Sequence, residues 1–82
     1  MRKVITVRSA SVYDPRSLAE LVGLANNYSS RITLIMENRS INAKSIMGIM
    51  GIGLDQGKEI TIDAEGLDAA DAIAALEAFL TE

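Results

Sequence analysis

The chain has 82 residues, neither cysteine nor histidine, and a formal net charge of −3. Without cysteine there are no disulfides and no thiolate chemistry; without histidine the usual general base, metal ligand and phosphoryl acceptor is gone. Hydrophobic residues make up 49% and charged residues 23%, which fits one globular domain over residues 1–82, near the lower size limit for folding without staples. The longest apolar run is far shorter than a membrane span. A strand-like pattern begins at once, so we expect no signal peptide, and a cysteine-free chain is compatible with a cytoplasmic home. Charge is uneven: residues 1–44 hold seven Lys and Arg against three Asp and Glu, and residues 45–82 hold one against eight. An acidic chain with scattered arginines argues against direct nucleic-acid binding, while its basic half could meet an acidic partner.

Residues 2–8 alternate as a strand, with Ile5 and Val7 on the inner face. Ser9 to Tyr13 read as a polar loop. Asp14-Pro15 then start a helix over about 15–27, Asp14 as N-cap and Pro15 with its φ preset, and Leu18, Leu21, Val22 and Ala25 line one face. Residues 31–37 alternate with Ile32, Leu34 and Met36 inward. Asn38-Arg39 look like a two-residue turn, and residues 40–43 return as the second strand of a hairpin.

The next stretch, Ser45 to about Leu54, is helix-length, carries no charge and is apolar all round. In so small a chain it cannot all be buried, so part of Ile46, Met47 and Met50 should be exposed. Residues 55–58 form a turn. Residues 59–65 alternate cleanly, with Ile60, Ile62 and Ala64 inward and the acids outward. Asp68 is expected to cap the last helix, with Asp71 in capping-box position and Ala72, Ile73, Leu76, Phe79 and Leu80 as the buried stripe. The order is βαββαβα. Strands with one polar face and helices with one apolar face argue for an α+β open-faced sandwich, a four-stranded antiparallel sheet with three helices on one face.

Three constellations carry possible chemistry. Ser45 can cap the short helix, or accept a phosphoryl group beside the free N–H groups of the first turn, with Lys44 next to it to recognise the new charge. Ile46, Met47 and Met50 are either core filling, with the neighbouring glycines permitting close backbone approach, or an adaptable contact surface; periodicity does not decide between them. Ile49 and Ile52 serve the core. Asp14 and Arg16 are a cap and a solvated cation, or together a place for an anion. Gly48, Gly51 and Gly53 match no phosphate-loop spacing, and no metal cluster exists. No nucleophile–base pair can be built either, which argues against an enzyme and against a cofactor.

The segment Asn42-Ala43-Lys44-Ser45-Ile46-Met47-Gly48-Ile49-Met50 strongly resembles HPr, the small phosphocarrier of the bacterial sugar phosphotransferase system. The likeness runs over essentially the whole chain: the βαββαβα order is the HPr order, and residues 57–62 are similar to the family's penultimate segment. The resemblance implies that Ser45 is a regulatory site phosphorylated by an ATP-dependent HPr kinase/phosphorylase. The phosphorylated form would dock on a LacI-type repressor through Arg16, Lys44, Ile46, Met47 and Met50, in carbon catabolite control. The departure is equally informative. HPr starts its first helix with Gly-Ile-His-Ala-Arg-Pro, and that histidine relays phosphate from enzyme I to the permeases. Here Val12-Tyr13-Asp14-Pro15-Arg16-Ser17 stand in its place: Arg16 is kept, the proline is displaced to Pro15, and Asp14 occupies the histidine position. Loss of the histidine with retention of the serine segment is similar in kind to the catabolite-repression paralogue, Crh, which is associated with strand-swapped dimers; monomer and swapped dimer both remain open. Asp14 could instead form an acyl phosphate and pass it between enzyme I and permease domains, or supply a fixed negative charge that mimics phosphohistidine.

Overall fold

The computed structural model describes residues 1–8 and 14–81, the side chain of Ile52 excepted, so the Ser9–Tyr13 loop and the inward placing of Ile52 lie outside the described residues. The elements are β1 (Arg2–Thr6), α1 (Pro15–Ala25), β2 (Arg31–Met36), β3 (Arg39–Asn42), α2 (Ile46–Ile52), β4 (Glu59–Glu65) and α3 (Ala69–Thr81). Four antiparallel strands form one open sheet in the order β1-β4-β2-β3, which leaves β1 and β3 at the edges.

Register follows from the inner residues. Ile5 lies opposite Ile60, Ile32 opposite Ala64, and Leu34 opposite both Ile62 and Ile41. A slip by one residue would turn this set to solvent, so burial fixes the pairing. The helices cover the inner face. α3 contributes Ala69, Ala72, Ile73, Leu76 and Leu80 to the core, α1 contributes Leu21 and Ala25, and α2 contributes Ile49. Each fully buried Leu or Ile is worth about 1.5–3 kcal/mol relative to exposure, which is how a chain of this size holds together.

Edge strand β1 is tied down along its length. The N-terminal ammonium donates to the Ala64 carbonyl at 3.0 Å, Arg2 pairs with Asp63 at 3.0 Å, and Lys3 reaches Glu77 on α3 at 2.7 Å. Val7 continues the contact beyond the strand: its N–H donates to the Lys58 carbonyl at 2.8 Å, and its side chain is fully buried.

Two expectations are corrected. The β2–β3 turn is Glu37-Asn38, not Asn38-Arg39: Met36 lies opposite Arg39, and Glu37 takes a φ of 57°. Alternation could not choose between the two, because Ile41 faces inward in both registers, opposite Met36 in one and Leu34 in the other. Asn tolerates the left-handed region better than Glu, which is why the sequence pointed one residue too far.

The second correction concerns Asp68. Its backbone carbonyl accepts the Ala72 N–H at 2.9 Å, as an N-cap residue's does, but its side chain is turned away from α3. One carboxylate oxygen accepts from the Ser30 hydroxyl and the Ser30 N–H (2.9 Å), the other from the Ser29 N–H (2.9 Å) and hydroxyl (3.3 Å). The Ser30 hydroxyl foremost, then the Ser29 amide, hold this carboxyl down from 3.8 to about 2. Gly66 closes the same joint. A Cβ there would stand 2.8 Å from the Ser30 Cα, and its φ of 149° belongs to glycine. The start of β2 and the start of α3 are thereby locked together.

Candidate functional site

Ser45 sits where β3 hands over to α2, and each preceding residue is anchored. The Ala43 N–H donates to the Ile32 carbonyl at 2.9 Å, with the Ala43 side chain fully buried. The Asn42 side chain accepts from the Lys44 N–H at 2.9 Å, an Asx turn that bends the chain out of the strand. Lys44 ties the bend to the end of α1: its ammonium donates to the Tyr28 carbonyl at 2.7 Å, and its own carbonyl accepts from the Asn26 side chain at 3.3 Å.

Ser45 itself is extended, with φ −104° and ψ 115°. Its hydroxyl accepts from the Gly48 N–H at 3.3 Å, and its carbonyl accepts from the Ile49 N–H at 3.0 Å. That is N-cap geometry, with the side-chain bond at the long end of the normal range. Ser45 is half-buried, and the first turn of α2 holds no acidic residue.

α2 faces two ways. Ile49 is buried, while Ile46 is 38%, Met47 81% and Met50 54% exposed. Helical spacing gathers these three on one side, directly after Ser45. The helix is thus apolar all round because one side enters the core and the other is presented to solvent. The glycines are not there for close approach: a Cβ at Gly48 would find only ordinary contacts at 3.5 Å or more, and one at Gly51 would meet nothing within 4 Å. Gly53 does have a conformational reason, since it ends the helix at φ 72°.

The first helix start is built alike. Asp14 is the N-cap of α1, its carboxylate accepting from the Arg16 N–H at 2.9 Å, with Pro15 in the first turn. Asp14 and Arg16 are both exposed. α1 packs against α2, yet among the described residues no hydrogen bond or ion pair joins the side chains of Asp14 or Arg16 to Ser45 or Lys44. Lys44 does not reach toward Ser45 either, since its ammonium is held by Tyr28.

One residue was missed from sequence. Arg39, at the start of β3, donates from Nη1 to the Gly51 carbonyl in the last turn of α2 at 3.1 Å. Only the hairpin register brings the two together. Among the described residues no group of three or more His, Cys, Asp or Glu is arranged to hold a metal ion, and no helix is long and apolar enough to cross a membrane.

The chain is an open-faced sandwich with helices on one side and a capped, solvent-facing apolar turn at the start of α2. The family model described as PTS HPr component phosphorylation site matches residues 1–82, and the chain belongs to the HPr family of phosphotransferase-system phosphocarriers. Among solved structures it is similar to HPr of Bacillus anthracis, at 36% identity over 98% of this chain and 95% of that one, with a TM-score of 0.92. It is also similar to Crh, the catabolite repression HPr of Bacillus subtilis. The solution structure of Crh matches at 33% identity over 100% of this chain and 98% of that one, with a TM-score of 0.75. A crystal structure of Crh, a domain-swapped dimer, matches at 32% identity over 93% and 83%, with a TM-score of 0.76. The chain is thus similar to both kinds of relative, with the higher TM-score to HPr.

Proposed function

We propose that this chain is an HPr-like regulatory protein of carbon catabolite control, a single-domain cytoplasmic module without catalytic activity, switched by phosphorylation at Ser45. The observation that carries the reading is a pairing. The chain has no histidine to accept a phosphoryl group, while Ser45 stands at the start of α2 beside the solvent-facing Ile46, Met47 and Met50.

In this reading an HPr kinase/phosphorylase transfers the γ-phosphoryl group of ATP to the Ser45 oxygen; the bond from the γ-phosphorus to the bridging oxygen breaks, ADP leaves, and the hydroxyl proton is released. The product carries about −1.5 to −2 charges and three strong acceptor oxygens. Apolar contact by Ile46, Met47 and Met50 and charge contact by the phosphate, Arg16 and Lys44 then act together on a LacI-type repressor or a similar regulatory partner. The Lys44 ammonium already donates to the Tyr28 carbonyl at 2.7 Å, which leaves two of its three N–H groups for an anion. The chain works as a monomer or as a strand-swapped dimer; exchange of β1 would remake its pairs with Asp63 and Glu77 between subunits.

The test is binding to the repressor before and after treatment with the kinase and ATP. Phosphorylation raises affinity at least tenfold, and Ser45→Ala neither gains phosphate nor binds more tightly. An unmodified wild-type chain, or equal affinity of both forms, contradicts the reading.

A second reading rests on the exposed Asp14 at the start of the 11-residue helix α1, next to Arg16. Its carboxylate would take a phosphoryl group from enzyme I as an acyl phosphate and pass it to a permease domain. The Arg16 N–H already occupies one of its oxygens, which favours the cap role. Incubation with phosphoenolpyruvate and enzyme I distinguishes the two. A carrier gives a hydroxylamine-labile adduct that Asp14→Asn loses, and a cap gives none.

A further inference from the structure

α2 has seven residues, two of them glycine, and a helix so short does not persist by itself. Its first turn is held by the Ser45 cap and its middle by buried Ile49. Its last turn contains no basic residue to meet the negative end of the helix. The missing charge comes from the neighbouring strand. Arg39 and Ile41, two residues apart on β3, share the side that faces α2: Ile41 lies against Gly48, and the Arg39 guanidinium donates to the Gly51 carbonyl at 3.1 Å. That carbonyl belongs to the residue directly after Met50.

We propose that Arg39 is a positioning residue for α2: through the Gly51 carbonyl it holds the last turn, and with it Met50, in the orientation that presents the apolar side. The hold follows from the bond on its own terms; its use in docking rests on the partner surface proposed above. A planar guanidinium aims its donors rigidly, whereas lysine offers a flexible point charge, so Arg39→Lys should recover only part of the hold. Arg39→Met keeps the apolar stem and removes every donor.

Native-state amide exchange of the intact chain tests this, with wild type, Arg39→Met and Arg39→Lys compared and urea midpoints recorded. In Arg39→Met the α2 amides of Met50 and Gly51 exchange about two- to fivefold faster, the amides of β2 and β4 keep their rates, and Arg39→Lys falls between. Unchanged exchange in α2 overturns the proposal, and so does a uniform rise through the sheet, which would make Arg39 a general stabiliser. Kinetics of Ser45 phosphorylation by HPr kinase with ATP provide the second readout. Positioning raises KM for Arg39→Met severalfold and leaves kcat within about twofold; an unchanged KM beside a loosened α2 refutes the link to docking. If the kinase leaves wild type unmodified, the Ser45 reading fails while the exchange experiment still decides the role of Arg39.

Discussion

The starts of α2 and α3 use similar residues to opposite ends. At α2 a serine caps the helix through one long hydrogen bond, and the residues after it face solvent. At α3 the acid in the cap position turns away from its helix and takes four hydrogen bonds from Ser29 and Ser30, with Gly66 pressed against Ser30 behind it. The first is an open, lightly held terminus whose charge can be changed without dismantling the core. The second is a lock. The lock joins the starts of β2 and α3, on elements that build the core; if α2 docks as proposed, it does so on a frame fixed elsewhere.

Substitutions at the two starts should therefore differ in size. Gly66→Ala is expected to be the most damaging. The new methyl meets Ser30 backbone at a φ foreign to alanine, a loss of about 2–4 kcal/mol by urea unfolding. A loss under about 0.5 kcal/mol would show that the joint gives way easily.

Asp68→Asn comes next and has a pH signature. The carboxyl is lowered from 3.8 to about 2, so the charged form is preferred in the folded state. Its stabilisation is fully present above pH 4 and is lost as pH falls toward 2. The variant should unfold at lower urea than wild type at pH 7, with the gap closing on acidification through that window. Parallel pH curves for the two proteins would contradict the assignment.

Ser45→Ala removes only a cap, for about 1 kcal/mol, and the loss should appear as faster amide exchange in α2. Gly51→Ala goes the other way. With open space around the added methyl, it should stabilise the chain by about 0.5–1 kcal/mol, read as a higher urea midpoint.

The same contrast explains what could be read from the sequence. All seven elements were legible, because the inner residues of the strands repeat every second position and those of α1 and α3 keep helical spacing. The caps at Asp14 and Ser45 were legible because each is a local bond to a residue two or three positions on. The role of Asp68 was not, since its partners lie 38 and 39 residues away in sequence. Arg39 was hidden behind a turn whose two registers bury the same side chains. The orientation of α2 was closed to any pattern argument, for a helix apolar on every side shows its exposed face only once Ile49 is seen to enter the core.

Under the proposed function Ser45 takes a phosphoryl group and Asp14 does not. Intact mass of the purified chain after exposure to each donor system in turn, phosphoenolpyruvate with enzyme I and ATP with HPr kinase, tests it most directly. The expected result is no phosphate from the first and one from the second, located on Ser45. A phosphate gained from phosphoenolpyruvate, or none gained from ATP, would contradict it.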